Sequence, residues 1–211
     1  MDATRRLRRC ARTLLNDVAF VWQARVLPRP VAALQVRSRL RARRTGDWFS
    51  LTSATRPSDL ATLLTLAGDR LNVVELGTGT AWTAAALAAA DPRRRVTSLD
   101  PVARPERERY LALLGPAVRA RVELIEAPGA SGPQSGALVD MLYIDSSHER
   151  DDVVAELIAW TPVLASGALV VLDDYGHADY PGVAQAVAAL GMDGTPRGTL
   201  FVHVHASGGD G

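Results

Sequence analysis

From about residue 51 onward, the chain alternates between short apolar runs and helical stretches. Val73-Val74-Glu75-Leu76, Met141-Leu142-Tyr143-Ile144 and Leu169-Val170-Val171-Leu172 are almost continuously apolar, as strands covered on both faces must be. Between and around them the pattern predicts a helix after Thr55, with Leu60, Leu63, Leu64 and Ala67 on one face, stopping at Gly68. Strands follow at 72–76, 95–100, 121–126, 139–145, 168–173 and 199–205. Helices are expected at 82–90, 105–114, 151–164 and 181–190; the third carries Val153, Val154, Leu157, Ile158 and Thr161 at helical spacing. Strands that alternate with helices imply a doubly wound α/β domain, its mostly parallel sheet covered on both faces. Ligands of such sheets bind at the carboxyl ends of the strands, so the polar residues ending each strand carry the functional argument.

Three zones result: a basic helical N-terminal extension (1–50), the α/β domain (51–205) and a flexible tail (206–211). The extension contains an arginine run at 5–9 and another at 37–44, with a break at Pro28 and Pro30. Residues 1–44 hold twelve arginines against Asp2 and Asp17, a local charge of +10, while the whole chain carries only +1. The chain has no lysine, so none can serve as a base. A single cysteine, Cys10, excludes an internal disulfide framework, and no apolar run approaches the ~20 residues of a membrane span. These features, with no secretory leader pattern, lead us to expect a cytoplasmic protein.

The first chemical motif is Glu75-Leu76-Gly77-Thr78-Gly79-Thr80-Ala81-Trp82, a strand, a glycine turn and a helix start. Glycines allow a tight turn and close approach of backbone to ligand. A dinucleotide fingerprint needs a third glycine where this chain has the bulky Trp82, which argues against a nicotinamide site. Asp100 ends the next strand, where a carboxylate can accept hydrogen bonds from ribose hydroxyls. Glu126-Ala127-Pro128-Gly129-Ala130-Ser131 ends the third as a loop of small residues.

Asp145 ends one core strand and is followed by Ser146-Ser147-His148; Asp173-Asp174-Tyr175 ends its neighbour. Three carboxylates at adjacent strand ends repel one another unless a cation neutralises them. Hard oxygen ligands suit Mg²⁺. In the metal-free alternative, Asp145 contacts the cofactor and Asp174 caps a turn. His148 is a candidate proton acceptor near neutral pH, or else a surface residue at a helix start.

The Glu75–Ala81 loop resembles the E-x-G-x-G-x-G loop of class I S-adenosylmethionine-dependent methyltransferases, with Ala81 in place of the third glycine. The Asp145 and Asp173–Asp174 spacing resembles the metal-dependent O-methyltransferases, both the catechol type and the bacterial branch acting on macrolide sugars; Ser146 replaces a glycine usual in that branch. The resemblance covers about residues 50–205. It implies a Rossmann-like sheet in the order 3-2-1-4-5-7-6, with seven strands, or six if the short segment 191–195 forms none. It implies S-adenosylmethionine held by Glu75, Gly77, Thr78, Gly79, Asp100, Gly129, Ala130, Ser131 and Asp145. It implies Mg²⁺ on Asp145, Asp173 and Asp174, catalysis by Asp145 and His148, and an acceptor pocket lined by Tyr175, His177 and Tyr180. The expected reaction is O-methylation of a sugar or other small polyhydroxylated or phenolic molecule.

Two alternatives belong to other classes: an NAD(P)-dependent oxidoreductase of the same fold, and a non-catalytic binder of S-adenosylmethionine. Expected partners are a small-molecule acceptor and a second copy of the chain, with no nucleic acid, because no base-reading module accompanies the arginines. The extension is read as a cap over the cleft, with peripheral membrane contact as the alternative, since its arginines are interleaved with Leu14, Leu15, Phe20, Val21 and Trp22.

Overall fold

The structure, a computed structural model, describes residues 16–206. The arginine run at 5–9, Cys10 and residues 207–211 lie outside the described residues. Residues 16–23 are helical and lead through a 3₁₀ turn, Ala24–Val26, into α1 (Arg29–Thr45). Pro30 stands in the first turn of α1, where its missing N–H costs nothing, and Gly46 ends the helix in the left-handed region at φ 67°. Then come α2 (Trp48–Ser53), α3 (Pro57–Ala67), β1 (Asn72–Leu76), α4 (Trp82–Ala90), β2 (Arg95–Leu99) and α5 (Glu106–Leu111). The chain continues with α6 (Pro116–Arg119), β3 (Val122–Ile125), β4 (Val139–Ile144), α7 (Arg150–Trp160) and β5 (Leu164–Leu172). It closes with α8 (Pro181–Ala189), β6 (Thr195–Arg197) and β7 (Leu200–Val204).

The seven strands form one sheet in the order β3-β2-β1-β4-β5-β7-β6. Strands β3 through β5 run parallel, and β7 is antiparallel to both β5 and β6. Side chains alternate between two cores. Val73, Val96, Met141, Tyr143 and Val171 face α3 and α4; Val74, Leu99, Leu142, Ile144 and Leu172 face α7 and α8. Helix α4 is buried from Trp82 to Ala88 because its alanines let the sheet on one side and α1 on the other approach closely.

Element boundaries differ from the periodicity in three places. Helix α7 stops at Trp160 because Pro162 cannot continue its hydrogen bonding; Thr161–Val163 is a 3₁₀ turn. Strand β5 begins at Leu164, across a register shift that accommodates Gly167 at φ 77°. The sixth strand is Thr195–Arg197 rather than 191–195: Gly191 turns at φ 58°, and a Cβ at Gly194 would collide with the Phe201 ring. Pro196 is tolerated there because β6 is a fully exposed edge.

The extension contributes to the core of the domain. Val31, Leu34, Gln35, Ser38 and Ala42 form one buried stripe of α1, and Val31 and Leu34 belong to the same cluster as Leu60, Leu63 and Ala84. The arginines at 29, 37, 41 and 44 face outward. Among the described residues, no helix is long and apolar enough to cross a membrane. Leu34→Ala is therefore expected to cost about 2–4 kcal/mol in urea unfolding, as in other cores. A loss below about 1 kcal/mol would show that α1 lies on the domain without supporting it.

Candidate functional site

One cleft of about 730 Å³ opens along the carboxyl ends of the parallel strands. Its floor begins at Gly77, which sits at φ 97° so closely against β4 that a Cβ would collide with the Asp145 carbonyl oxygen. The Gly77 N–H donates to Leu99 O at 2.8 Å, and the Asp145 N–H donates to Leu76 O at 2.8 Å. These bonds prolong the β2–β1–β4 pairing into the loops. Gly79 follows at φ 50° and Ala81 at φ 66°. The position of the missing third glycine thus keeps the left-handed conformation, at the ~1–2 kcal/mol that it costs a residue bearing a Cβ.

Asp100 lines the cleft and is held from three sides. Its oxygens accept the Gly79 N–H at 2.9 Å and the Val102 N–H at 2.8 Å, and pair with the buried Arg107 guanidinium at 2.8 Å. An ionised carboxylate has about four acceptor positions, so roughly one remains for a ligand hydroxyl. Thr78, Gly129 and Ala130 also line the cleft.

Glu75, Ser131 and Tyr175 do not line it. Glu75 is 1% exposed beneath the glycine loop, where it accepts the Ser98 hydroxyl; Ser98 in turn lies 2.7 Å from Thr78 Oγ1. Burial pushes the Glu75 carboxyl up to about 8 despite the Ser98 bond. Ser131 ends the exposed side of a 3₁₀ turn, and Tyr175 packs on Phe201 at 4.8 Å between centroids.

At the far end of the cleft, ligand atoms of Asp145, His148 and Asp174 all lie within 4.8 Å of one another. His148 Nε2 lies 3.0 Å from Asp174 Oδ2, and its ring stacks on Tyr180 at 4.1 Å, with His177 on the other side of Tyr180 at 4.8 Å. Asp173, expected as a third carboxylate ligand, also lines the cleft, with about one acceptor position left after three bonds. It accepts from the Tyr143 hydroxyl at 2.6 Å, the Asp174 N–H at 2.8 Å and the Thr199 hydroxyl at 3.2 Å. Asp174 itself turns at φ 54°, which aims its carboxylate toward His148 instead of along the strand. Burial, then the neighbouring Asp173, Glu75 and Asp174, raise the Asp145 carboxyl well above the usual range. Burial raises Asp173 as well, and burial together with Asp145 and Asp173 raises the Tyr143 phenol.

The sequence pattern did not single out several cleft residues. Phe49, Thr52, Ser53, Thr55 and Arg56 form one wall, tied to the glycine loop by contacts of Ser50 with Thr80 at 2.8 Å and of Thr55 with Thr83 at 2.9 Å. A run of hydroxyl residues from Ser50 to Thr55 was the available signal. Arg104, Glu156 and Thr199 also line the cleft, and nothing local marks them.

Residues 74–175 match the Methyltransf_24 family model, described as a methyltransferase domain. No protein of curated function matches at a significant level. Among solved structures, cofactor-bound Rv0187 from MTB is 21% identical, with a TM-score of 0.64, over 85% of this chain and 91% of that one. CalS11, a TDP-rhamnose 3'-O-methyltransferase of calicheamicin biosynthesis, is 18% identical, with a TM-score of 0.56, over 71% and 78%. A precorrin-6y C5,15-methyltransferase from Geobacter metallireducens GS-15 is 16% identical, with a TM-score of 0.56, over 74% and 92%. These likenesses show the Rossmann-like methyltransferase fold, with its strand order 3-2-1-4-5-7-6.

The buried Glu75 gives a pH signature. Its carboxyl titrates near 8 in the folded chain and near 4.5 when exposed, so the native state holds the extra proton between those values. Its contribution to stability is full below about pH 4.5 and is lost as pH rises through 8. In urea unfolding, Glu75→Gln should match the wild type at pH 5 and gain on it toward pH 8.5, by at most ~1.4 kcal/mol per pH unit. Parallel pH profiles for the two proteins would show that Glu75 is ionised in the fold.

Proposed function

We propose that this chain transfers a methyl group from S-adenosylmethionine to a hydroxyl oxygen of a small polyhydroxylated or phenolic acceptor. The observation that carries this reading is the single cleft joining the glycine loop and Asp100 to the Asp145–His148–Asp174 cluster. CalS11, by its name, methylates a sugar hydroxyl, which supports the acceptor class. A second copy of the chain is the further partner we propose, supported by the outward apolar face of Val18, Val21, Trp22 and Val26.

The residues present fit the cofactor: Gly77 and Gly79 leave backbone room, and Asp100 keeps an acceptor free. Bound there, the cofactor supplies a methyl group already activated by its sulfonium. They also fit a divalent cation, because Asp145, His148 and Asp174 bring two carboxylates and an imidazole together. Bound there, a cation supplies a Lewis acid that lowers the pKa of a hydroxyl. With an imidazole in the set, Mn²⁺ fits beside Mg²⁺. Tyr143 and Thr199 hold Asp173 behind these groups, so Asp173 positions the strand end. The aromatic stack of His148, Tyr180 and His177 fixes the imidazole plane.

The 3.0 Å contact between His148 and Asp174 favours a second role for His148, as the base that takes the acceptor's proton while Asp174 stabilises the imidazolium. Metal titration reads the ligand role without any acceptor, and turnover on a trial acceptor reads the base. Calorimetry should show S-adenosylhomocysteine binding, and Mn²⁺ electron spin resonance should show a bound ion that Asp174→Ala abolishes. If His148 is a ligand, His148→Ala weakens Mn²⁺ by about 10-fold or more; if it is only the base, Mn²⁺ binding persists and turnover falls by ~10²–10⁴. Absence of any bound Mn²⁺, with full turnover in excess chelator, would remove the metal and leave the His148–Asp174 pair.

A further inference from the structure

Glu156 is a buried cleft carboxyl that belongs neither to the glycine loop nor to the acidic cluster. It lies on α7, is 4% exposed, and lines the cleft beside Gly129 and Ser146. Its Oε2 accepts the Ser146 hydroxyl at 2.6 Å, while Oε1 has no donor among the described residues. One turn later, Trp160 Nε1 donates to Gly129 O at 2.8 Å. A Cβ on Gly129 would meet Glu156 Oε1, so the 129–131 turn rests directly against the carboxyl. Two side chains of one helix thus fix the loop that follows β3, and one of them leaves an acceptor unused.

The sheet order fixes what lies above that acceptor. Asp100, the ribose-binding candidate, ends β2, and β3 is the next strand outward. Asp100 and the β3 loop line the same cleft, so a nucleoside whose ribose met Asp100 would have its base within reach of that loop. There Leu99, Pro101, Val102 and Pro128 give the cleft apolar walls suited to a flat ring. We propose that Glu156 reads the six-position of the cofactor's purine: Oε1 accepts a hydrogen bond from the exocyclic amine of adenine and repels a 6-oxo base. This rests on the cofactor assignment made above. Burial pushes the carboxyl up to about 7 despite the Ser146 bond.

The test is calorimetry at pH 8 on the full chain, with S-adenosylhomocysteine and S-inosylhomocysteine as probes. The wild type should prefer the adenosyl compound by roughly 10- to 100-fold, the cost of facing a buried acceptor with another acceptor. Glu156→Gln can turn its amide NH₂ toward a 6-oxo group and should bring the two ligands within about 3-fold. If Glu156→Gln does not fold, Glu156→Asp keeps the charge and shortens the reach. It should lose about 10-fold for the adenosyl compound and little for the inosyl one. Equal wild-type binding of both ligands, an unchanged preference in a folded Gln variant, or an equal loss for both ligands in the variants would each overturn the inference. Failure of the wild type to bind either ligand would instead overturn the cofactor assignment.

Discussion

The cleft depends on the backbone contact between Gly77 and Asp145. Parallel strands normally diverge into their loops at their carboxyl ends, but here the ends of β1 and β4 remain in contact past the last paired residues. Only a residue without a Cβ permits this, because any side chain at 77 would occupy the space of the Asp145 carbonyl. The cross-links from Gly77 to Leu99 and from Asp145 to Leu76 hold three strand ends at fixed spacing. As a result, the Asp100 end and the acidic end of the cleft share one floor.

That floor concentrates negative charge. Glu75 lies beneath it, Asp145 on it, and Asp173 and Asp174 beside it, with Tyr143 donating to Asp173 from below. Burial, with repulsion from neighbouring carboxylates, raises Glu75, Asp145 and Asp173 above the usual carboxylate range. Such a cluster costs stability in isolation, which is why perturbed acids gather at functional sites more than in ordinary cores. The Asp100–Arg107 pair at the other end is the opposite case, a carboxylate matched by a buried cation and two backbone N–H groups. One end of the cleft is electrostatically satisfied and the other is not, a polarity that fits binding at one end and chemistry at the other.

The N-terminal segment closes the arrangement from above. Helix α1 buries its apolar stripe against α4, so α2 and the chain up to Arg56 are set over the glycine loop. The Arg104 guanidinium lies 3.7 Å over the Phe49 ring, joining that roof to the loop after β2. A segment whose composition suggests a solvated basic cap therefore has one face in the core and one edge in the cleft.

The sequence by itself determined the strands and helices, the α/β class, and the strand-end residues that meet in the cleft. It could do so because two-sided burial writes near-continuous apolar runs, and because ligands of such sheets gather where those runs end. Gly77, Asp100, Asp145, His148 and Asp174 were legible in this way. Only the tertiary structure decided which side chains point into the cleft and which partners they have. Glu75 turns inward to Ser98, Tyr175 packs on Phe201, Asp173 accepts from Tyr143 and Thr199, and His148 joins Asp145 and Asp174 in one cluster. Glu156 left no local mark, and the hydroxyl run from Ser50 to Thr55 did not say which of its residues face the cleft, because both depend on neighbours distant in the chain. Hydrophobic periodicity is a local signal of burial, whereas hydrogen-bond partners and charge neighbours are set by long-range packing that no short window of sequence contains.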